Sequence, residues 1–210
     1  MVEYHIAWWN LENLFDSVRS RRRPGWLQNR LENELAGWTS VVVGKKIAQL
    51  ASIINAMNDG RGPDLLGVCE VENDHVLRRL VKRLNRERDY AVVHHDMSDK
   101  RGIDVAFIYD AALLEPEAHF HHVVLKRNAT RDIFQVNFKT RSGRTLIGVG
   151  NHWPSRSGGE LASRPYRQMA GETLAYWMER IRDIQGQDVP VIVMGDFNDE
   201  PFDTSLTTYA

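Results

Sequence analysis

Residues 191–200, VIVMGDFNDE, run from four consecutive strand-forming apolar residues into Gly195 and then into Asp196, Asn198, Asp199 and Glu200. The apolar run reads as a buried core strand, and the glycine marks its abrupt end. Acceptors placed directly after a rigid strand are held at a sheet edge, where fixed position serves chemistry. Three more strands end in the same manner: IAWW at Asn10, LLGVC at Glu70 and IGVGN at His152. In a protein built of stacked sheets, such ends converge on one edge.

The elements around these strands set the fold class. YHIAWWN reads as a first strand, and KKIAQLASIINAM as a helix with Ile47, Leu50, Ile53 and Ile54 at helical spacing. NDGRGP ends that helix before the strand DLLGVCE, and HVLRRLVKRL is a second amphipathic helix with a solvated basic face. YAVVHH, IDVAFIY, a segment from His119 to Val124, IFQVNF and RTLIGVGNHW read as strands, with RSG as a hairpin turn between the last two. A long helix over about residues 159–184 precedes the final strand. Helices at both ends of the chain with hairpin-like strands between them predict an α/β fold: a four-layer α/β/β/α sandwich of two mixed sheets with outer helices. The whole chain, 1–210, reads as one domain. Residues 17–39 read as an exposed insertion whose basic cluster, SVRSRRRPG, is solvated surface or a phosphate contact.

Composition narrows the function classes. The chain has 210 residues, 42% hydrophobic and 26% charged, an ordinary mixture for a domain with a sizeable core. A formal net charge of -1 supplies no global basic field, so a polyanion would be held by local arrangement or by a metal. One cysteine, Cys69, forms no internal disulfide and reads as a packed thiol. No window approaches the roughly 20 apolar residues of a membrane span, and no signal peptide is visible, so the default expectation is a cytoplasmic protein.

Glu70, Asp196 and Asn198 offer the hard oxygen donors that suit Mg²⁺ or Mn²⁺, and His152 beside them offers a proton donor or a phosphate partner. A cation, an acid-base group and amide donors together meet the needs of phosphoester hydrolysis, whose transition state spreads negative charge over the non-bridging oxygens. Each residue also has a plain structural reading: Asp196 as a turn residue after a strand, His152 as a structural histidine in NHWPS, and Glu70 and Glu72 as exposed charges at a helix start.

The segments WWNLENLFD, LLGVCEVEN, RGIDVAFIYD, GNHWPSRSGG and VIVMGDFNDEP, in this order, resemble the successive signatures of the endonuclease/exonuclease/phosphatase superfamily, which has the deoxyribonuclease-I-like fold. The resemblance spans Asn10 to Pro201. It implies a metal-dependent phosphodiesterase, with a nuclease acting on DNA or RNA as the first reading. Phosphomonoesterases, lipid phosphodiesterases and non-catalytic binding modules share the scaffold. By this resemblance Asn10 helps orient the phosphate and Glu70 is the metal ligand. His152 contacts the scissile phosphate or helps protonate the leaving oxygen. Asp196 orients or activates the attacking water, and Asn198 steadies the phosphate. Arg101 and Arg131, with Asp104 nearby, and the arginines Arg156, Arg164 and Arg167 of the loop after His152 are candidate substrate contacts. The family pattern continues beyond its Asp-x-Asn strand to a Ser-Asp-His-like motif, whereas this sequence runs from there into FDTSLTTYA. The resemblance therefore leads us to expect a domain incomplete at its C-terminus, with the last strands missing, an open sheet edge that favours pairing or poor solubility, and weak or absent activity.

Overall fold

A computed structural model describes residues 3–127 and 129–210. Its first sheet has the strand order β1-β2-β4-β3, built from β1 (Ile6–Leu14), β2 (Leu65–Val71), β3 (Tyr90–His94) and β4 (Asp104–Asp110). The second has the order β5-β6-β7-β8, from β5 (Leu114–His122), β6 (Ile133–Thr140), β7 (Thr145–His152) and β8 (Val191–Asp196). Both sheets are mixed: β1 runs parallel to β2 and β7 parallel to β8, and the remaining neighbours are antiparallel.

Strand periodicity divides the core. Alternate residues of β2, Leu66 and Val68, face the helices α2 (Ser40–Ala56) and α3 (Asp74–Val81), whose Val43, Ile47, Ile54, Val76, Leu77 and Leu80 are buried against that sheet. The opposite set, Leu65 and Cys69, meets Phe134, Val136, Phe138 and Met194 of the second sheet across the centre of the molecule. The outer face of the second sheet, Ile147 and Val149, packs on Ala170, Leu174 and Ile181 of the long helix α4 (Glu160–Gln185). These are the four layers expected from the sequence. Thr39 starts α2 by accepting a hydrogen bond from the Val42 amide, and Asn73 starts α3 in the same way through Val76.

Glycines set the spacing where large rings cross between the sheets. A Cβ at Gly67 would enter the Trp8 ring, and one at Gly150 would lie 2.7 Å from Val105 and 3.2 Å from Phe107. Gly195 is tighter against backbone: its Cβ would lie 2.5 Å from the Asn151 Cβ and 2.6 Å from the Asn151 carbonyl oxygen. Backbone cannot step aside as a side chain can. Gly195→Ala is therefore expected to cost about 2–3 kcal/mol, the upper range for overpacking, read as a lower urea midpoint. An unchanged midpoint would contradict this close approach of β7 and β8.

The segment from Ser17 to Thr39 departs from the expected exposed insertion. It contains the short helix α1 (Gly25–Arg30) and a small core of its own, in which Leu27, Leu31 and Leu35 pack with Phe15 and Ile103. Within its basic cluster Arg23 is buried, because its guanidinium closes on Glu72. Glu72 is accordingly not an exposed charge at a helix start. Among the described residues no helix is long and apolar enough to cross a membrane.

Candidate active site

The two parallel strand pairs, β1–β2 in one sheet and β7–β8 in the other, bring their C-terminal ends together. Asn10 lies beside Cys69 in the first pair, and His152 beside Asp196 in the second. One hydrogen bond joins the two sheets at this edge: Asn10 Nδ2 donates to Asp196 Oδ2 at 3.0 Å. His152 Nε2 lies 3.6 Å from Glu70 Oε1, a second link between the sheets.

Glu70 reaches this position through a break in its strand. The β1–β2 register shifts between Asn10 and Leu14, and the β2–β4 register shifts between Cys69 and Val71, so Glu70 is left unpaired in a bulge. Its φ is 61°, in the left-handed region that disfavours a residue with a side chain. Such bulges re-aim side chains beside functional sites, at a strain of order 1–3 kcal/mol. The facing bulge in β1 offsets part of this: the Asn13 amide donates to Glu70 Oε2 at 2.9 Å.

Asp196 is held on both oxygens, Oδ2 by Asn10 and Oδ1 by the Asn198 amide at 3.1 Å. Asn198, itself at φ 53°, donates its side-chain amide to the Trp153 carbonyl at 3.0 Å. That carbonyl also accepts from Arg131 Nη2 at 3.0 Å, while Arg131 Nη1 reaches Asp99 at 3.2 Å. Arg101 donates from Nη2 to Asn13 Oδ1 at 3.2 Å. Asn10, Glu70, His152, Asp196 and Asn198 thus converge, with Arg131 and Arg101 beside them.

The other three arginines proposed from sequence are paired with acids of this chain. Arg156 donates to the Asn198 carbonyl at 2.8 Å and is ringed by Asp199, Glu200 and Asp203 at 3.1–3.8 Å. It braces the loop after Asp196 and lines an open cavity with Asp196 and Asn198. Arg164 stands on α4, paired with Glu160 one helical turn away at 3.4 Å. Arg167, also in that set, is buried and bonded to Asp199 at 2.7 Å. Asp104 is buried at the start of β4 and pairs with His94 at 3.0 Å. Asn13, Asp99 and Trp153 were not foreseen. Asp99 carried a readable signal, the short turn in SDKRG, where its carboxylate accepts the Arg101 amide at 2.8 Å.

The His152 imidazole is neutral. Burial, then the charges of Arg131 and Arg101, push its pKa down to about 2. An unfolded histidine titrates near 6.5, so below about 6.5 the unfolded chain takes up a proton that the folded chain refuses. This contribution to stability is complete above pH 6.5 and is lost as the pH falls toward 2. Asp104 opposes it: burial lifts that carboxyl from 3.8 to about 6, so its contribution is complete at low pH and is lost as pH rises through that window. The expected result is a shallower fall in unfolding free energy between pH 6.5 and 4.5 for His152→Asn than for the parent chain, measured by urea unfolding. Parallel slopes would contradict a buried neutral imidazole.

Glu70 and Asp196 present carboxylate oxygens at one mouth, and Asn10 joins them through its amide nitrogen while its Oδ1 accepts the Glu12 amide at 2.8 Å. The Glu70 side chain keeps 13% exposure. This donor set fits a hard divalent cation, which takes oxygen from carboxylate, amide and water. A family model described as the endonuclease/exonuclease/phosphatase family matches residues 5–209.

The chain belongs to the endonuclease/exonuclease/phosphatase family.

Solved structures share its fold. A family protein from Bacteroides thetaiotaomicron is 17% identical with a TM-score of 0.65, over 98% of this chain and 66% of its own. A mannosyl-6-phosphatase from the same organism is 17% identical with a TM-score of 0.63, over 99% of this chain and 70% of its own. ANGEL2, a 2′,3′-cyclic phosphatase, is 12% identical with a TM-score of 0.65, over 97% of this chain and 55% of its own. This family member therefore spans between 55% and 70% of the length of these three structures. No curated protein matches the sequence.

Proposed function

We propose that this chain carries the catalytic centre of a phosphoester hydrolase that works with Mg²⁺ or Mn²⁺. The observation that carries the reading is the Asn10–Asp196 hydrogen bond at 3.0 Å, which ties the acceptor-bearing ends of two separate sheets into one site. Glu70 would hold the cation, which supplies charge to the phosphoryl oxygens and the leaving oxygen. Asp196 orients the attacking water: both of its oxygens are fixed by amide donors, so its remaining lone pairs point in set directions. His152, neutral, offers its one N–H as a hydrogen-bond donor to a phosphoryl oxygen and lacks the second, acidic proton of an imidazolium. Arg131 and Arg101 add positive potential at the same place.

For the substrate, a phosphodiester of DNA or RNA is the first reading, as the family resemblance implies. A small phosphomonoester is the second reading, and the engagement of Arg156 and Arg164 with acids of this chain favours it, since neither is left to follow a polyanionic strand. The mannosyl-6-phosphatase of like fold agrees with that second reading, whereas a 2′,3′-cyclic phosphate, the substrate class of the cyclic phosphatase, is itself a diester.

A substrate panel separates them. Plasmid DNA, bis-p-nitrophenyl phosphate, p-nitrophenyl phosphate and hexose 6-phosphates are incubated with Mg²⁺ or Mn²⁺, with Glu70→Gln as control. Cleavage of the diesters alone supports the first reading, and release of inorganic phosphate from the monoesters the second. Saturable Mn²⁺ binding with no turnover of any member would sink both and support a binding module.

A further inference from the structure

We propose that Cys69, His152 and Asp196 form a binding site for a thiophilic divalent cation, Zn²⁺ by class, which shares Asp196 with the oxygen-lined position at Glu70 and draws on a different donor chemistry. One ligand atom from each of the three side chains lies within 4.8 Å of the others. Strand alternation puts them there. Cys69 points into the space between the sheets beside Val105 and Met194, and its strand neighbour Glu70 is thrown outward by the bulge. The thiol is fully buried and His152 is 4% exposed.

The imidazole supplies a second, independent sign of a ligand. His152 Nε2 is turned to Glu70, but Nδ1 is buried and has no hydrogen-bond partner. A buried polar atom without a partner costs about 1–3 kcal/mol, and a coordinated cation removes that cost. Asp196 accepts one hydrogen bond on each oxygen, which leaves a lone pair on each for a metal.

The chemistry of the three donors selects the ion. One sulfur, one imidazole nitrogen and one carboxylate suit Zn²⁺ and disfavour Mg²⁺, which avoids thiolate. Around a tetrahedral Zn²⁺ such donors stand roughly 3.3–3.5 Å apart, so the side chains need to close by only about an ångström. Binding forms a Zn–S bond and breaks the S–H bond, with the proton released to solvent. No electrons are exchanged. Resting on the proposed hydrolase reading, a cation here also withdraws His152 and Asp196 from the phosphate, so Zn²⁺ would inhibit the Mg²⁺-dependent reaction.

The test uses the fact that Cys69 is the chain's single cysteine. Cd²⁺ is titrated into the purified chain and the ultraviolet sulfur-to-cadmium charge-transfer band is recorded, and Zn²⁺ affinity is measured by competition with a chromophoric chelator. The expected result is one equivalent of band, no band in Cys69→Ala, and a Zn²⁺ affinity at least tenfold weaker in that variant and in His152→Gln. Glu70→Gln keeps the band, because Glu70 supplies none of the three ligand atoms. Cys69→Ser, which preserves volume, replaces the alanine variant if that fails to fold. A missing band, or equal Zn²⁺ affinity with and without the thiol, would overturn the site. If no substrate is hydrolysed under any condition the hydrolase reading fails, and the cadmium band still decides the metal site.

Discussion

Glu70→Gln is expected to lower kcat/KM by about 10³-fold or more, the scale on which members of one catalytic unit fail, and to abolish saturable Mn²⁺ binding. The substitution keeps shape and changes charge. A glutamine oxygen can still accept the Asn13 amide that now binds Glu70 Oε2, so the bulge at φ 61° retains its internal tie. What disappears is the negative charge that faces the mouth of the cleft and lies 3.6 Å from His152. Isothermal titration with Mn²⁺ and steady-state kinetics on the most reactive panel substrate measure the two effects. Retention of both within tenfold would remove Glu70 from its assigned role.

The second large effect concerns stability and lies two residues away. Arg23→Met is expected to destabilise the fold by about 3–5 kcal/mol, because removing one partner of a buried ion pair strands the other charge. Both side chains are sealed, at 0% and 2% exposure. Arg23 gives Nε to Glu72 Oε1 at 2.8 Å, Nη2 to Glu72 Oε2 and to the Asp16 carbonyl, and Nη1 to Gln28 Oε1 at 2.9 Å. Burial pushes the Glu72 carboxyl up, and the hydrogen bonds and charge of Arg23 only partly restore it. The pair therefore contributes little beyond an apolar replacement of both residues, although loss of either alone is severe. Arg23→Met combined with Glu72→Met should recover part of the lost stability by urea unfolding, short of the whole because the Asp16 carbonyl loses a donor. A single variant costing under about 1 kcal/mol would contradict the sealed geometry.

These two glutamates mark how far the sequence could be read. In CEVEN the position of Glu70 at a strand end was legible because it follows an apolar strand directly, and strands announce themselves by aromatic and β-branched runs. The ordered motifs then placed Asn10, His152, Asp196 and Asn198 at strand ends, and the two-sheet topology brings those ends together. Glu72 was illegible, since its burial depends on an arginine 49 positions earlier. Local pattern treats a basic cluster as wet surface, and only the folded segment shows Leu27, Leu31 and Leu35 carrying Arg23 inward. The pairing of Arg156 and Arg164 within the chain was illegible for a related reason. Their distance from His152 in sequence was visible, but the acids that engage them, Asp199, Asp203 and Glu160, were not assignable as partners. The left-handed backbone at Glu70 and Asn198 also gave no signal, because neither residue is glycine.

The most direct measurement is anomalous diffraction from a crystal of the chain soaked in Mn²⁺. If the strand ends form one metal-assisted site, the anomalous peak lies within about 2.5 Å of a Glu70 carboxylate oxygen, on the side facing His152 and Asp196. A fully occupied peak elsewhere, with the Glu70 carboxylate free of it, would contradict the claim.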